Sequence, residues 1–322
     1  MTPDKASQRR RSLVRELVKN GPFRALVLRL AAARLLGRGP RARFDLACYP
    51  TVPNHKEIMW KVALLAGIGL AAHGGGTVPA AGRRPQVGVI WGGVRRAPPV
   101  SLLPVALNRR LRDTSKSQVG RIFAETFGYA LAVDPTTHAG DCVAKSDGNA
   151  AHDGRVIRCP IAVADPGLSY QRLVDNRTDD GAVLDFRVPV LGGEIPFVYL
   201  KYRPLEGRFR NVNGRVALAE TAAVLSAAEQ QGIRTFCHAI GLDLGELDVL
   251  RDRGDGRIYI VDVNGRPFGP PKPIATGDAV RAVQAYAAAF VGLAERVLAA
   301  EAGPAGAPPA RPDGRAAAAP RP

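Results

Sequence analysis

The sequence predicts a mixed α+β chain, with a small α/β unit, a larger strand-rich body behind it and non-globular extremities. Three observations carry this. From Arg43 onward short apolar runs alternate with helical patterns, the signature of an α/β unit. Between residues 140 and 264 most segments show the period-2 patterning of strands, ending in a hairpin. And 322 residues, 46% of them hydrophobic, suffice for two or three packed subdomains with a sizeable core.

The elements follow in order. Residues 8–19 pattern as a helix, with Leu13, Val14, Leu17 and Val18 on one face and Arg11, Arg15 and Lys19 on another. Gly21-Pro22 interrupts it, and a second apolar-basic helix runs to about Leu36. Such a pair suits an anionic membrane surface; it equally suits an arm packed on its own body with solvated arginines. Residues 44–48 read as a strand, 56–70 as a helix and 86–91 as an apolar strand. His73-Gly74-Gly75-Gly76 lacks the Lys-Ser/Thr of a Walker motif and reads as a turn. Residues 117–127 pattern as a helix, 130–133 as a strand, 215–240 largely as a helix and 276–300 as another. From Gly303 the Ala/Pro/Gly/Arg bias has no apolar periodicity, so a disordered tail is expected.

Composition narrows the function classes. The net charge is +16, but residues 1–43 hold 12 Lys/Arg against 2 Asp/Glu. The charge therefore belongs mainly to an arm, and no specific nucleic-acid partner is expected. Cys48, Cys142, Cys159 and Cys237 are far apart and form no CxxC pair, which argues against a zinc site or disulfide framework and for a reducing, cytoplasmic setting. No apolar stretch of about 20 residues stands out as a membrane span, and the basic N-terminus lacks a clean signal-peptide pattern.

Several segments carry possible chemistry. Residues 245–252 and 257–264 flank Gly254-Asp255-Gly256 as a hairpin, with Asp262 and Asn264 on one face and Asp248 on the neighbouring strand. Two carboxylates and an amide oxygen suit Mg²⁺; the alternative is a solvated polar face. Lys145 ends a short strand and is followed by the small polar loop Ser146 to Gly154. That arrangement can hold nucleotide phosphates, or be an ordinary hairpin with a surface lysine. Residues 170–175 form a strand whose backbone can face a planar base. Asp185 and Arg187 share a strand face, and the further run 199–203 ends in Arg203; simple strand-face ion pairs are the alternative there. Residues 51–57 either help shape an acceptor site or cap the next helix.

Taken in order, these are a strand-end lysine with its loop, a hinge strand, Asp185-x-Arg187, Arg203, the Asn-rich turn at 209–214, and a hairpin ending in Asp262-x-Asn264-x-x-Pro267. That order resembles the ATP-grasp superfamily, the fold of D-alanine–D-alanine ligase, glutathione synthetase and the ribosomal-protein glutamate ligases. The resemblance covers roughly residues 110–295. It implies an arm over residues 1–42, a pre-grasp α/β domain over 43–110, the grasp over 111–300 and a tail over 301–322. It also implies ATP and Mg²⁺ as cofactors. Lys145 and Lys116 would hold phosphate, with help from amides at the helix start beside Lys116. Ser146, Asn149 and His152 would belong to the lid over the phosphates, with a polar loop residue as the other reading of His152. Gln171, Arg172 and Leu173 would meet adenine through backbone groups. Asp248, Asp262 and Asn264 would hold Mg²⁺, and Arg187 and Arg203 would face transferred phosphate and acyl intermediate. Most relatives carry Glu where this chain has Asp262, and the loop lacks the usual Gly-Ser pattern.

The resemblance thus implies a carboxylate–amine (or thiol) ligase that takes small-molecule carboxylate and amine substrates through an acyl-phosphate. Two alternatives remain from the sequence. One is a kinase of a sugar or glycan hydroxyl. The other is a non-catalytic nucleotide-binding protein with peripheral membrane contact through residues 1–40.

Overall fold

A parallel sheet of four strands opens the molecule. The computed structural model describes residues 21–72, 84–92, 105–148, 153–210 and 212–302. The sheet consists of β1 (Asp45–Tyr49), β2 (Leu70–Ala72), β3 (Gln86–Ile90) and β4 (Ala106–Leu107), in the order β2-β1-β3-β4. A parallel sheet needs both faces covered. Here α1 (Gly21–Leu35), α2 (Ile58–Ala66) and the distant α6 (Thr276–Ala302) pack with it around one core.

The second half of the basic arm is therefore part of the body. Phe23, Leu26, Leu30 and Ala33 recur at helical spacing and are buried, which leaves Arg24 and Arg29 outside that face. Residues 8–19 lie outside the described residues. The α6 helix also corrects the expectation that no stretch is apolar enough to span a bilayer. By length and composition alone it passes, yet Ala282, Val283, Tyr286, Ala287 and Phe290 are fully buried, and Phe290 meets Phe44 edge-on at 6.1 Å. These are core contacts, which explains the apolar run without lipid.

The second unit is an antiparallel sheet of five strands. They are β8 (Ala182–Leu191), β9 (Val198–Pro204), β10 (Arg215–Ala219), β11 (Leu244–Arg251) and β12 (Ile258–Asn264), in the order β10-β9-β8-β11-β12. Val188, Val190, Leu247 and Val249 join Val119 and Phe123 of α3 (Lys116–Phe127) and Phe236 and Ile240 of α5 (Ala227–Ile240) in a second core. The region 215–240 is thus not largely one helix. Its start pairs with β9 as β10, a single turn α4 (Thr221–Val224) follows, and Ser226 and Glu229 form a reciprocal capping box that begins α5.

A smaller sheet, β5 (Gly140–Ser146), β6 (Arg155–Cys159) and β7 (Leu168–Arg172) in the order β6-β5-β7, faces the second. Among the described residues its core is Cys142, Ala144, Cys159 and Tyr170 with half-buried neighbours. The expected strand at 130–133 reduces to a bridge between Ala132 and Gln171. The cysteines also depart from expectation: Cys142 and Cys159 lie 3.1 Å apart at their sulfurs, because antiparallel pairing folds the intervening segment back on itself.

Candidate active site

One face of the five-stranded sheet forms the second core; the other is apolar where Leu191, Tyr199 and Leu244 join the first core and charged along the rest, with alternation deciding which side chain goes where. Strand register then places charges side by side. Asp248 lies opposite Arg187 on one neighbour and Asp262 on the other. Asp185 is opposite Lys201, and Glu246 is opposite Asn264. The hairpin expected around residues 254–256 forms, with an irregularity between Asp248 and Val249.

A cavity of about 520 Å³ lies between this charged stripe and the three-stranded sheet. Lys116, Lys145, Gln171, Arg187, Asp248 and Asp262 are among its walls, as are Ser146, Arg172, Arg203 and Asn264. Leu173 is not among the described residues that line it, and Asn149 and His152 lie outside the described residues. Cationic side chains in the described walls outnumber carboxylates eight to four, so the cavity is built for an anion.

Lys145 reaches the cavity from the end of β5. Its Nζ donates to the Val261 carbonyl at 3.3 Å. Burial, and then Lys116 nearby, lower its pKa to about 8 against the pull of Asp262, Asp248 and Asp153. Lys116, at the first turn of α3, donates from Nζ to Asp262 Oδ1 at 2.8 Å. Sequence reasoning also expected the helix-start amides to reach phosphate. They are engaged elsewhere: the Lys116 and Ser117 amides donate to the Asp147 carbonyl and carboxylate at 2.9 and 2.7 Å, and Gln118 N donates to Ser115 Oγ at 3.3 Å. An aspartate already neutralises the positive helix end. Ser146 donates from its amide and hydroxyl to Asp153, tying the two ends of the loop together.

Gln171 is buried in β7 and belongs to the cavity wall, and among the described residues its Nε2 has no hydrogen-bond partner. The backbone role expected for its neighbours is reduced. The Arg172 amide donates to Leu131 O at 2.9 Å, and the Tyr170 carbonyl accepts from Val133. The Arg172 guanidinium instead anchors the hairpin turn through Tyr259 Oη at 2.6 Å, Asp252 at 3.1 Å and Asp255 at 3.3 Å.

The arginines expected to face transferred phosphate are also held. Arg187 donates to both oxygens of Asp248 at 3.0 and 2.9 Å, and Lys201 adds a third contact at 3.3 Å. Burial opposes the charge of Arg187, but Asp248 and Glu246 outweigh it and its pKa is raised. Burial would raise Asp248, but Arg187 and Lys201 hold it well below the usual carboxylate range. Arg203 pairs with Asp185 at 3.1 Å and donates to Asn213 Oδ1 at 3.3 Å.

For Mg²⁺ the donor chemistry fits in part. Asp262 uses one oxygen for Lys116 and keeps a partly exposed carboxylate, and Asn264 Oδ1 accepts from the Arg266 amide at 2.9 Å. These two suit a cation shared with phosphate. Asp248 has both oxygens engaged by cationic side chains, and among the described residues no three His, Cys, Asp or Glu side chains form a site alone.

Two features escaped sequence reasoning. Glu246 is 1% exposed, lies 3.5 Å from Arg187 and, among the described residues, has no hydrogen bond to either oxygen; burial pushes its pKa up to about 7 against the pull of Arg187. Its position two residues before Asp248 on one strand face was the available signal. Glu57 is fully buried and binds Trp91 Nε1, Asn54 Nδ2 and Arg266 Nε at 2.7, 2.8 and 2.7 Å. It joins the parallel-sheet unit to the end of the hairpin. Its side chain makes no capping bond to α2, which corrects the capping reading of this segment.

No protein-family model and no curated protein matches the chain. Solved structures do. The ATP-grasp ligase PsnB complexed with minimal precursor, Mg and ADP is similar at 14% identity and a TM-score of 0.48, over 77% of this chain and 98% of that one. The macrocyclase MdnC from Microcystis aeruginosa, bound with precursor peptide MdnA, is similar at 11% identity and 0.47, over 79% and 99%. The VanG D-Ala:D-Ser ligase from Enterococcus faecalis is similar at 12% identity and 0.42, over 65% and 72%. Two antiparallel sheets thus close on a cationic cavity, and lysine, Asp-x-Arg and Asp-x-Asn residues meet there in the order the sequence displays, the arrangement expected of an ATP-grasp fold.

Proposed function

We propose that this protein is an ATP- and Mg²⁺-dependent ligase that joins a carboxylate to an amine through an acyl-phosphate. One observation carries it: Lys145, Lys116, Asp262 and Asn264 converge from two sheets and a helix start on one anion-selective cavity that also contains Arg187 and Arg203. A cavity of this size suits a nucleotide-sized ligand.

The residues act by position and charge. Lys145 presents an ammonium to phosphate oxygens, and its sparse protein bonding leaves donors for them. Lys116 neutralises the same region while holding Asp262 in place. Asp262 and Asn264 would hold Mg²⁺, which supplies charge neutralisation across the phosphates. Arg187 and Arg203, fixed by Asp248 and Asp185, stand where charge develops as the γ-phosphoryl group passes to a substrate carboxylate oxygen. The amine then attacks the acyl carbon and inorganic phosphate leaves with the P–O bond intact. No covalent enzyme nucleophile is required.

The test is ATP turnover with panels of free carboxylates and amines, and with peptides bearing acidic and lysine side chains. ADP, phosphate and an amide are expected, with a hydroxamate when hydroxylamine is the amine. A stable phosphorylated hydroxyl product would identify a kinase instead. Failure of ATP with Mg²⁺ to raise the melting temperature would end the proposal.

A further inference from the structure

Cys142 and Cys159 form a contact that nucleotide chemistry does not use. Their sulfurs are 3.1 Å apart, and both residues are buried in the core of the three-stranded sheet. Cys142 lies opposite Ile157 and Cys159 opposite Gly140, so the two are diagonal neighbours on one face of paired strands. A disulfide needs sulfurs at about 2.05 Å, and the remaining closure of about 1 Å lies within reach of side-chain rotation.

We propose that Cys142 and Cys159 are an oxidative modification site, converted to an intramolecular disulfide by a low-molecular-weight disulfide. The step balances. Burial pushes the Cys142 thiol up to about 12, so attack follows local opening of the small sheet: a cysteine exposed by that opening loses its proton, and its thiolate attacks the reagent disulfide and expels one reagent thiol. The second cysteine attacks the mixed disulfide, forms the Cys142–Cys159 bond and expels the other. Two protein thiols are oxidised and the reagent disulfide is reduced.

The sheet gives the bond a purpose. This unit has the smallest of the three cores, four buried residues, too few to hold a three-stranded sheet firmly by burial alone. Yet it carries Lys145 and Ser146 and the ends of the loop beside the cavity. Cys142 and Ala144 face the small core, whereas Val143 and Lys145 alternate into the cavity. The bond would tie β5 to β6 from behind, across 17 positions of chain, without entering the site.

The full chain is incubated with oxidised glutathione, quenched, unfolded, alkylated and digested. The expected result is loss of two of the four thiols, a peptide linking Cys142 to Cys159, and full alkylation of Cys48 and Cys237. A rise in melting temperature of about 5 °C over the reduced protein is expected from closing a loop of this length. Cys142→Ser and Cys159→Ser should each abolish the linked peptide and the rise; Cys142→Ala serves if the serine variant fails to fold. ATP affinity should stay within twofold on oxidation. Four alkylatable thiols after oxidation, linkage through Cys48 or Cys237, or a lower melting temperature in the linked form would each overturn the proposal. Wild-type binding of ATP is measured separately, so loss of the ligase reading leaves this outcome intact.

Discussion

Replacing Lys145 by methionine keeps the stem and removes the charge, and its effect can be worked from the structure. Burial brings the amine to about 8, so it titrates in an accessible range. If nucleotide binds only the ammonium form, wild-type affinity should fall about 25-fold, or about 1.9 kcal/mol, between pH 7.5 and 9.5. In Lys145→Met at pH 7.5, loss of the charged donor should cost about 1.5–3 kcal/mol of ATP affinity, and the slope with pH should vanish. Folding stability without ligand moves the other way. The ordinary value is 10.5, so between pH 8 and 10.5 the unfolded chain binds a proton that the folded chain has released. Stability contributed by this group therefore rises over that window while ATP affinity falls. Calorimetric titration with ATP and Mg²⁺ at four pH values decides the matter. A wild-type affinity that changes less than about threefold over the range, where about 25-fold is expected from the titration, would refute the reasoning. So would a Lys145→Met protein that keeps the slope.

Further outcomes are expected elsewhere. Glu246, raised from 4.5 to about 7, keeps a proton in the fold that the unfolded chain releases, so its contribution is full below pH 4.5 and lost as pH rises through 7. Denaturant titrations at pH 4.5, 6 and 7.5 should show Glu246→Gln escaping a loss on the order of 1–3 kcal/mol, and parallel curves would count against it. Glu57→Gln should destabilise by about 2–4 kcal/mol by uncoupling Arg266 and Trp91, read by the same titration at pH 7. Gly241 has φ +83°, and a Cβ there would lie 2.6 Å from backbone atoms of Arg110, so Gly241→Ala should cost at least about 2 kcal/mol in a melting experiment.

How far the sequence carried these conclusions depended on range. The hairpin, Lys145 and the Asp185-x-Arg187 face were legible because period-2 alternation fixes which side chains share a face before any partner is known. Glu246 followed the same rule but reads in sequence as one more acid on a strand; only burial against Arg187 distinguishes it. The helix start at Lys116 was legible, but not Asp147 folding back onto its amides from 30 positions away. The boundary inside 215–240 was hidden by residues of high helix propensity, where pairing with β9 overrode propensity. The thiol pair was invisible because strand register, not spacing, brings Cys142 to Cys159.

The position of α6 has a consequence for how the chain is made. Its buried face completes the core around β1, α1 and α2, elements that precede it by more than 200 positions in the chain. A ribosome that has released residues 21–107 has therefore produced a parallel sheet with part of its apolar cover still unsynthesised. The five-stranded sheet also lends Leu191, Tyr199, Val216 and Leu244 to that core, so both it and the amino-terminal unit wait for the last helix, a high-contact-order step. A chain that stops before Thr276 should thus leave its earliest-made unit without its apolar cover.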